Sequence, residues 1–132
     1  MIKGIGTDIV EIDRIKAAVS RRPRFLERVF TAEERRYCLS KPNPWPSLAA
    51  RFAAKEAARK ALGVGLGAFS WQEIEIVKRD NEPPSLQLSG KALFYAKERG
   101  ITHWHVSLSH NHTAAVALVI AEGREQEEGS CS

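Results

Sequence analysis

Polar and apolar positions alternate from Ile2 to Ile12. Ile2, Gly4, Gly6, Asp8 and Val10 fall on one side, and Lys3, Ile5, Thr7, Ile9 and Glu11 on the other. A period of two with this β-branched content predicts a strand, and its two glycines leave room for a close approach. Asp8 is the odd member, because a carboxylate among Ile and Val is costly to bury without a partner. From Asp13 to Ser20 the period lengthens through Ile12, Ile15 and Val19 and predicts a helix. Pro23 suits the first position of a short helix with Phe25, Leu26 and Val29 on its apolar side. Thr31 and Glu34 have the spacing of a capping box, so another helix starts at Ala32 and ends before Pro42. Lys41-Pro42-Asn43-Pro44-Trp45-Pro46 is a break.

Ser47 can cap a long helix from Leu48 to Leu62, rich in Ala, Arg, Lys and Glu and free of Gly and Pro. Gly63-Val64-Gly65-Leu66-Gly67 ends it. Ile74–Val77 and Leu86–Leu88 read as strands around an Asp80–Pro84 turn. Ser89 to Arg99 reads as a helix ended by Gly100. His103–Ser109 and Thr113–Ala121 read as two strands joined by His110-Asn111-His112. Strands paired through short links predict an α+β fold with an antiparallel sheet, not a parallel βαβ fold.

The 132 residues suit one domain, and 43% apolar with 27% charged residues is a globular balance that excludes a disordered or collagen-like chain. The longest apolar run, Ala114–Ala121, is far short of the ~20 residues that span a bilayer, so no membrane partner is expected. The N-terminus lacks the pattern of a secretory signal, and Cys38 and Cys131 cannot make a disulfide framework. A cytoplasmic protein is the expectation.

The net charge of +4 is unevenly spread. Residues 122–132 carry one Arg and four Glu, so the body, residues 1–121, holds +7. The body is expected to be the folded domain and 122–132 an acidic, disordered tail. Between Arg14 and Arg28 six basic residues face Glu27 alone. That stretch suits an acidic protein surface or, as the alternative function, a small nucleic-acid-binding module.

Candidate chemistry centres on the long helix. Phe52, Glu56 and Lys60 recur at four-residue steps on one face, and Arg51, Lys55 and Arg59 form the adjacent row. The row is either a solvated face or a surface for a polyphosphate. Asp8 and Glu56 are the carboxylates most oddly placed among small or apolar neighbours. Together with phosphate oxygens and water they would suit Mg²⁺, whereas Asp8 alone could simply pair with a basic side chain. The glycine-rich run at 63–67 follows a helix, while phosphate loops precede one, so it reads first as a helix end. His103, His105, His110 and His112 fit no zinc spacing, and one of them could bind a ligand or cap a strand end.

Several of these pieces together resemble one family, the holo-[acyl-carrier-protein] synthases among the 4′-phosphopantetheinyl transferases. The motifs are Gly4-Ile5-Gly6-Thr7-Asp8, Phe30-Thr31-Ala32-Glu33-Glu34, Arg51-Phe52-Ala53-Ala54-Lys55-Glu56-Ala57-Ala58-Arg59-Lys60-Ala61, Ser70–Ile76 and His105-Val106-Ser107-Leu108-Ser109-His110. They span nearly the whole chain. The resemblance implies a small antiparallel sheet packed on a long central helix and shorter helices. It implies transfer of the 4′-phosphopantetheine of coenzyme A to a serine of apo-acyl carrier protein, with release of adenosine 3′,5′-bisphosphate, in fatty acid biosynthesis. Mg²⁺ would be held by Asp8 and Glu56. Glu56 and Lys60 would be catalytic, and Lys55, Lys60, Gly65, Pro84, Ser109 and His110 would meet coenzyme A. Arg14, Arg21, Arg22, Arg24 and Arg28 would dock the acidic carrier protein. A homotrimer with sites between subunits is also implied, with no role for nucleic acid. Glu82-Pro83-Pro84 stands where the family has a Gly-x-Pro turn, and the acidic tail is extra.

Overall fold

The computed structural model describes residues 1–79 and 81–124. Strand β1 (Ile2–Glu11) passes directly into α1 (Ile12–Arg21), followed by α2 (Phe25–Val29), α3 (Ala32–Leu39) and the long α4 (Trp45–Leu62). A 3-10 turn at Trp71–Glu73 leads into β2 (Ile74–Val77) and β3 (Ser85–Leu88), then α5 (Gly90–Glu98), β4 (Ile101–His110) and β5 (Ala114–Gly123). The three long strands make an antiparallel sheet in the order β1-β5-β4, and β2 with β3 forms a separate antiparallel hairpin. The α+β reading with an antiparallel sheet on a long helix holds.

Helix α4 lies across one face of that sheet. Ala53, Ala54, Ala57, Ala58 and Ala61 are buried in one cluster with Val10, Ala115, Ala117 and Val119. Small side chains on both sides bring the helix backbone close to the strand. A Cβ at Gly4 would collide with the Ala61 carbonyl, and one at Gly6 with that of Ala57. The two glycines of the opening strand are therefore where β1 touches α4.

The sheet's other face carries a group of apolar side chains that no described residue covers. Ile5 and Ile9 are 57% and 66% exposed, and Val116 and Leu118 are 41% and 37% exposed. Such a contiguous apolar face is the signature of an interaction surface.

Several boundaries differ from the sequence reading. Helix α4 starts at Trp45, with Pro44 rather than Ser47 at its N-cap, so Pro46 lies inside the first turn. An N–H there has no helical partner to lose, which makes proline harmless. Pro23 precedes α2 in a turn instead of opening it. The capping box at Thr31 and Glu34 forms as expected. Strand β5 runs two residues past Ala121, because Glu122 and Gly123 still pair with neighbouring strands and the Gly123 N–H donates to the Met1 carbonyl at 2.9 Å. Glu122 and Gly123, expected in an acidic tail, thus belong to this strand, and the rest of that expectation, at residues 125–132, lies outside the described residues. No described helix is long and apolar enough to cross a membrane.

Candidate active site

Asp8 sits on the face of β1 that looks toward α4, in register with Ala117. Glu56 projects from α4. Both carboxylates line one cavity of about 570 Å³, together with Arg14, Arg22, Phe52 and Trp71. Their side chains are mostly buried, 19% exposed for Asp8 and 14% for Glu56.

Each carboxylate has a cation from the last turn of α4. Lys60 donates from Nζ to the Thr7 carbonyl at 3.0 Å and to Asp8 Oδ1 at 3.3 Å. Arg59 reaches Glu56 Oε2 with its Nη2 at 2.8 Å. The helix creates this geometry, since residues three and four apart share a face. Asp8 therefore has a basic partner in Lys60 and shares a cavity with Glu56.

Lys55 does not belong to this cavity, which corrects its expected contact with coenzyme A. Its side chain is 1% exposed and its Nζ lies 2.8 Å from Glu34 Oε1. It also donates to the Trp71 carbonyl at 3.1 Å and to that of Ile74. One residue from Glu56, the helix has rotated by 100°, and the lysine points into the core. Burial pushes the Lys55 ammonium below its usual range, with Glu34 opposing that shift. Glu34 also accepts the Ile76 N–H at 2.8 Å, so the pair ties α3, α4 and β2 together.

Arg51, in the same row, takes a third direction. It is 3% exposed and its guanidinium lies 4.5 Å from the centre of the Tyr37 ring. Its Nε and Nη2 have no hydrogen-bond partner among the described residues. It lines a separate cavity of about 590 Å³ together with Lys78, Arg79 and Gln87. Buried donors of this kind await an acceptor. The like-charge row, read as one stripe, is thus three residues with three environments.

The expected coenzyme A contacts are dispersed in a single chain. Ser109 is in register with Val116 and, through it, with Ile9, which places it on the uncovered sheet face, opposite to Asp8. His110 ends β4 and lines a cavity of about 520 Å³ with Lys16, Asn43 and Trp45. Gly65 is exposed in the loop after α4, and Pro84 lies in the link between β2 and β3. None of the four lines the Asp8–Glu56 cavity.

The basic stretch, by contrast, lies together on the surface. Arg14, Arg21, Arg22, Arg24 and Arg28 are all exposed. Arg21, Arg22, Arg24 and Arg28 surround a further cavity of about 620 Å³ walled by Phe25, Val29, Phe52 and Trp71. Phe52 and Trp71 stack with their ring centres 5.0 Å apart. Both rings also line the carboxylate cavity, so the two cavities adjoin. Sequence reasoning misses Trp71, because nothing local in Ser70–Glu73 announces its partner on α4.

A fold of this topology has known counterparts. The family model described as "4'-phosphopantetheinyl transferase superfamily" matches residues 4–119, and the chain belongs to that superfamily. A holo-[acyl-carrier-protein] synthase of Moorella thermoacetica is 49% identical over 124 residues, covering 94% of this chain and 97% of that relative. One from Caldanaerobacter subterraneus is 47% identical over 121 residues, covering 92% and 95%. The crystal structure of Helicobacter pylori holo-[acyl-carrier-protein] synthase in complex with coenzyme A superposes with a TM-score of 0.78 at 37% identity, covering 89% of this chain and 99% of that one. Within the superfamily, these likenesses place the chain with the holo-[acyl-carrier-protein] synthases.

Proposed function

We propose that the chain transfers the 4′-phosphopantetheine of coenzyme A to a serine of apo-acyl carrier protein and releases adenosine 3′,5′-bisphosphate. The observation that carries this reading is the meeting of Asp8 and Glu56 at one cavity that Arg14, Arg21 and Arg22 also line, with Lys60 bonded to Asp8. Nucleic-acid binding, the alternative, uses the basic stretch but gives no role to the two carboxylates.

Two carboxylates with room for phosphate oxygens and water suit Mg²⁺, which keeps waters and seldom has an all-protein cage. Asp8 and Glu56 would hold it. When bound, it neutralises charge on the pyrophosphate and on the departing phosphate. Lys60 adds a positive charge beside Asp8 and can turn to the phosphates. In the transfer, the serine oxygen forms a bond to the phosphorus that bears the pantetheine arm. The bond from that phosphorus to the oxygen of the leaving nucleotide breaks, and the nucleotide keeps the electron pair. The serine proton goes to Glu56, directly or through a water.

Arg14, Arg21, Arg22, Arg24 and Arg28 would meet the acidic face of the carrier protein and steer its approach. Gly65, Pro84, Ser109 and His110 would meet the nucleotide part of coenzyme A. Arg51, whose Nε and Nη2 find no acceptor among the described residues, would join them near the β2–β3 hairpin.

A homotrimer would account for the dispersal of these residues. The uncovered face of Ile5, Ile9, Val116 and Leu118 suits packing against other copies of the chain, and Ser109 lies on it. Sites between copies would then collect groups that one chain keeps apart. Cytoplasmic location and service to fatty acid biosynthesis complete the reading. Release of adenosine 3′,5′-bisphosphate from coenzyme A, followed by chromatography with and without apo-acyl carrier protein, tests it. Release must require the carrier, the enzyme and Mg²⁺, and release independent of the carrier would overturn it.

A further inference from the structure

We propose that Arg59 is an internal counter-ion of the site. It holds Glu56 until a divalent cation and a polyphosphate arrive, and then turns its freed donors to the polyphosphate. This rests on the reading of Asp8 and Glu56 as metal ligands.

The geometry of Arg59 is that of a hinged arm. Its Nη1 donates to the Val64 carbonyl at 2.9 Å, beyond the end of α4. Its Nη2 and Nε donate to the same oxygen of Glu56, at 2.8 and 3.3 Å. One end of the guanidinium is thus fixed by backbone and the other spent on a carboxylate. The side chain is only 19% exposed, held against Glu56, which lines the cavity. The rigid planar fork of an arginine holds the two acceptors in fixed directions, which the compact ammonium of a lysine does not.

Charge balance couples the two ligands. Asp8 and Glu56 are balanced by Lys60 and Arg59, so the four side chains together are neutral. A divalent cation bound to both carboxylates leaves Arg59 and Lys60 without their counter-charges. Metal alone is therefore opposed by two cations. A pyrophosphate brings the missing negative charge and accepts the donors that the metal has displaced. Metal and polyphosphate should then strengthen one another's binding, and the coupling must be reciprocal. The bond to Val64 keeps Arg59 in place for the exchange.

The test is a titration of the 132-residue chain with Mn²⁺, read from the electron paramagnetic resonance of the free ion, without and with coenzyme A and with no carrier protein present. Without coenzyme A, Arg59→Gln should bind Mn²⁺ about fivefold more tightly than the wild type. Coenzyme A should raise the wild-type affinity for Mn²⁺ about tenfold and that of Arg59→Gln by clearly less. Arg59→Lys, which keeps the charge but not the fork, should fall between them. Equal or weaker Mn²⁺ binding by Arg59→Gln without coenzyme A overturns the role of Arg59. Failure of the wild type to take up Mn²⁺ in either state instead removes the metal assignment, and the inference with it.

Discussion

Lys55 Nζ lies 2.8 Å from Glu34 Oε1, and neither side chain reaches solvent. Next to it in sequence, Glu56 opens onto the cavity with Asp8. The boundary between core and active site therefore runs between two consecutive residues of one helix. Lys55 is a fixture of the interior that joins α4 to the 3-10 turn carrying Trp71. Breaking a buried pair on one side leaves a charge without compensation. Lys55→Met should cost about 3–5 kcal/mol of stability, whereas Lys55→Met with Glu34→Leu should cost clearly less than the sum of the two single changes. Urea unfolding of the three variants measures this.

Glu56→Gln keeps the shape of the side chain and removes its charge. Transfer should fall at least about hundredfold while the unfolding midpoint stays near that of the wild type. Steady-state rates and thermal unfolding on the same sample separate the two effects. Normal turnover would remove Glu56 from the mechanism.

Reversing Arg14 and Arg24 to Glu should raise KM for the carrier protein and leave the affinity for coenzyme A unchanged. The wild-type KM should itself rise with salt, since exposed charges are screened beyond about 8 Å at physiological ionic strength. An unchanged KM in the double variant would mean that the carrier docks elsewhere.

Gly6 faces the Ala57 carbonyl with no space for a side chain. Gly6→Val should destabilise the chain by about 1–3 kcal/mol or prevent folding, because the strand must lift from α4. The same substitution at Gly65, where a Cβ meets nothing, should leave the unfolding midpoint nearly unchanged.

Burial holds the Cys38 thiol up at about 11, well above its ordinary value. At pH 8 roughly one part in a thousand is thiolate, so the native chain should resist iodoacetamide at this position. In a Cys131→Ser background, alkylation should begin only when denaturant is added. Since the folded thiol holds its proton to higher pH than the unfolded one, the contribution of this group to stability is complete below the unfolded pKa of about 8.5 and is lost as pH rises toward 11.

Much of this structure is legible in the chain because it depends on local rules. The alternation at Ile2–Glu11, the Thr31–Glu34 capping box and the helix end at Gly63 are set by neighbours within four residues. So are Glu56 and Lys60, which share a face by helical spacing alone. The exceptions arise where distant residues decide. Lys55 reads as surface because its partner Glu34 is 21 positions away. Arg51 and Arg59 look alike in sequence, yet Tyr37 claims one and Val64 the other. Ser109 matches its motif but points to the sheet face opposite to Asp8, which only the strand register reveals. The Trp45 start of α4 is hidden because three prolines read as a break, although one of them is tolerated in a first turn.

If Asp8 and Glu56 serve a phosphopantetheine transfer, the intact mass of apo-acyl carrier protein reports it after incubation with this chain, coenzyme A and Mg²⁺. The carrier should gain one phosphopantetheine, and the gain should be lost when a chelator is added and lost in Asp8→Asn and Glu56→Gln. A carrier of unchanged mass with the wild type, or full modification by both variants, would show that these carboxylates serve something else.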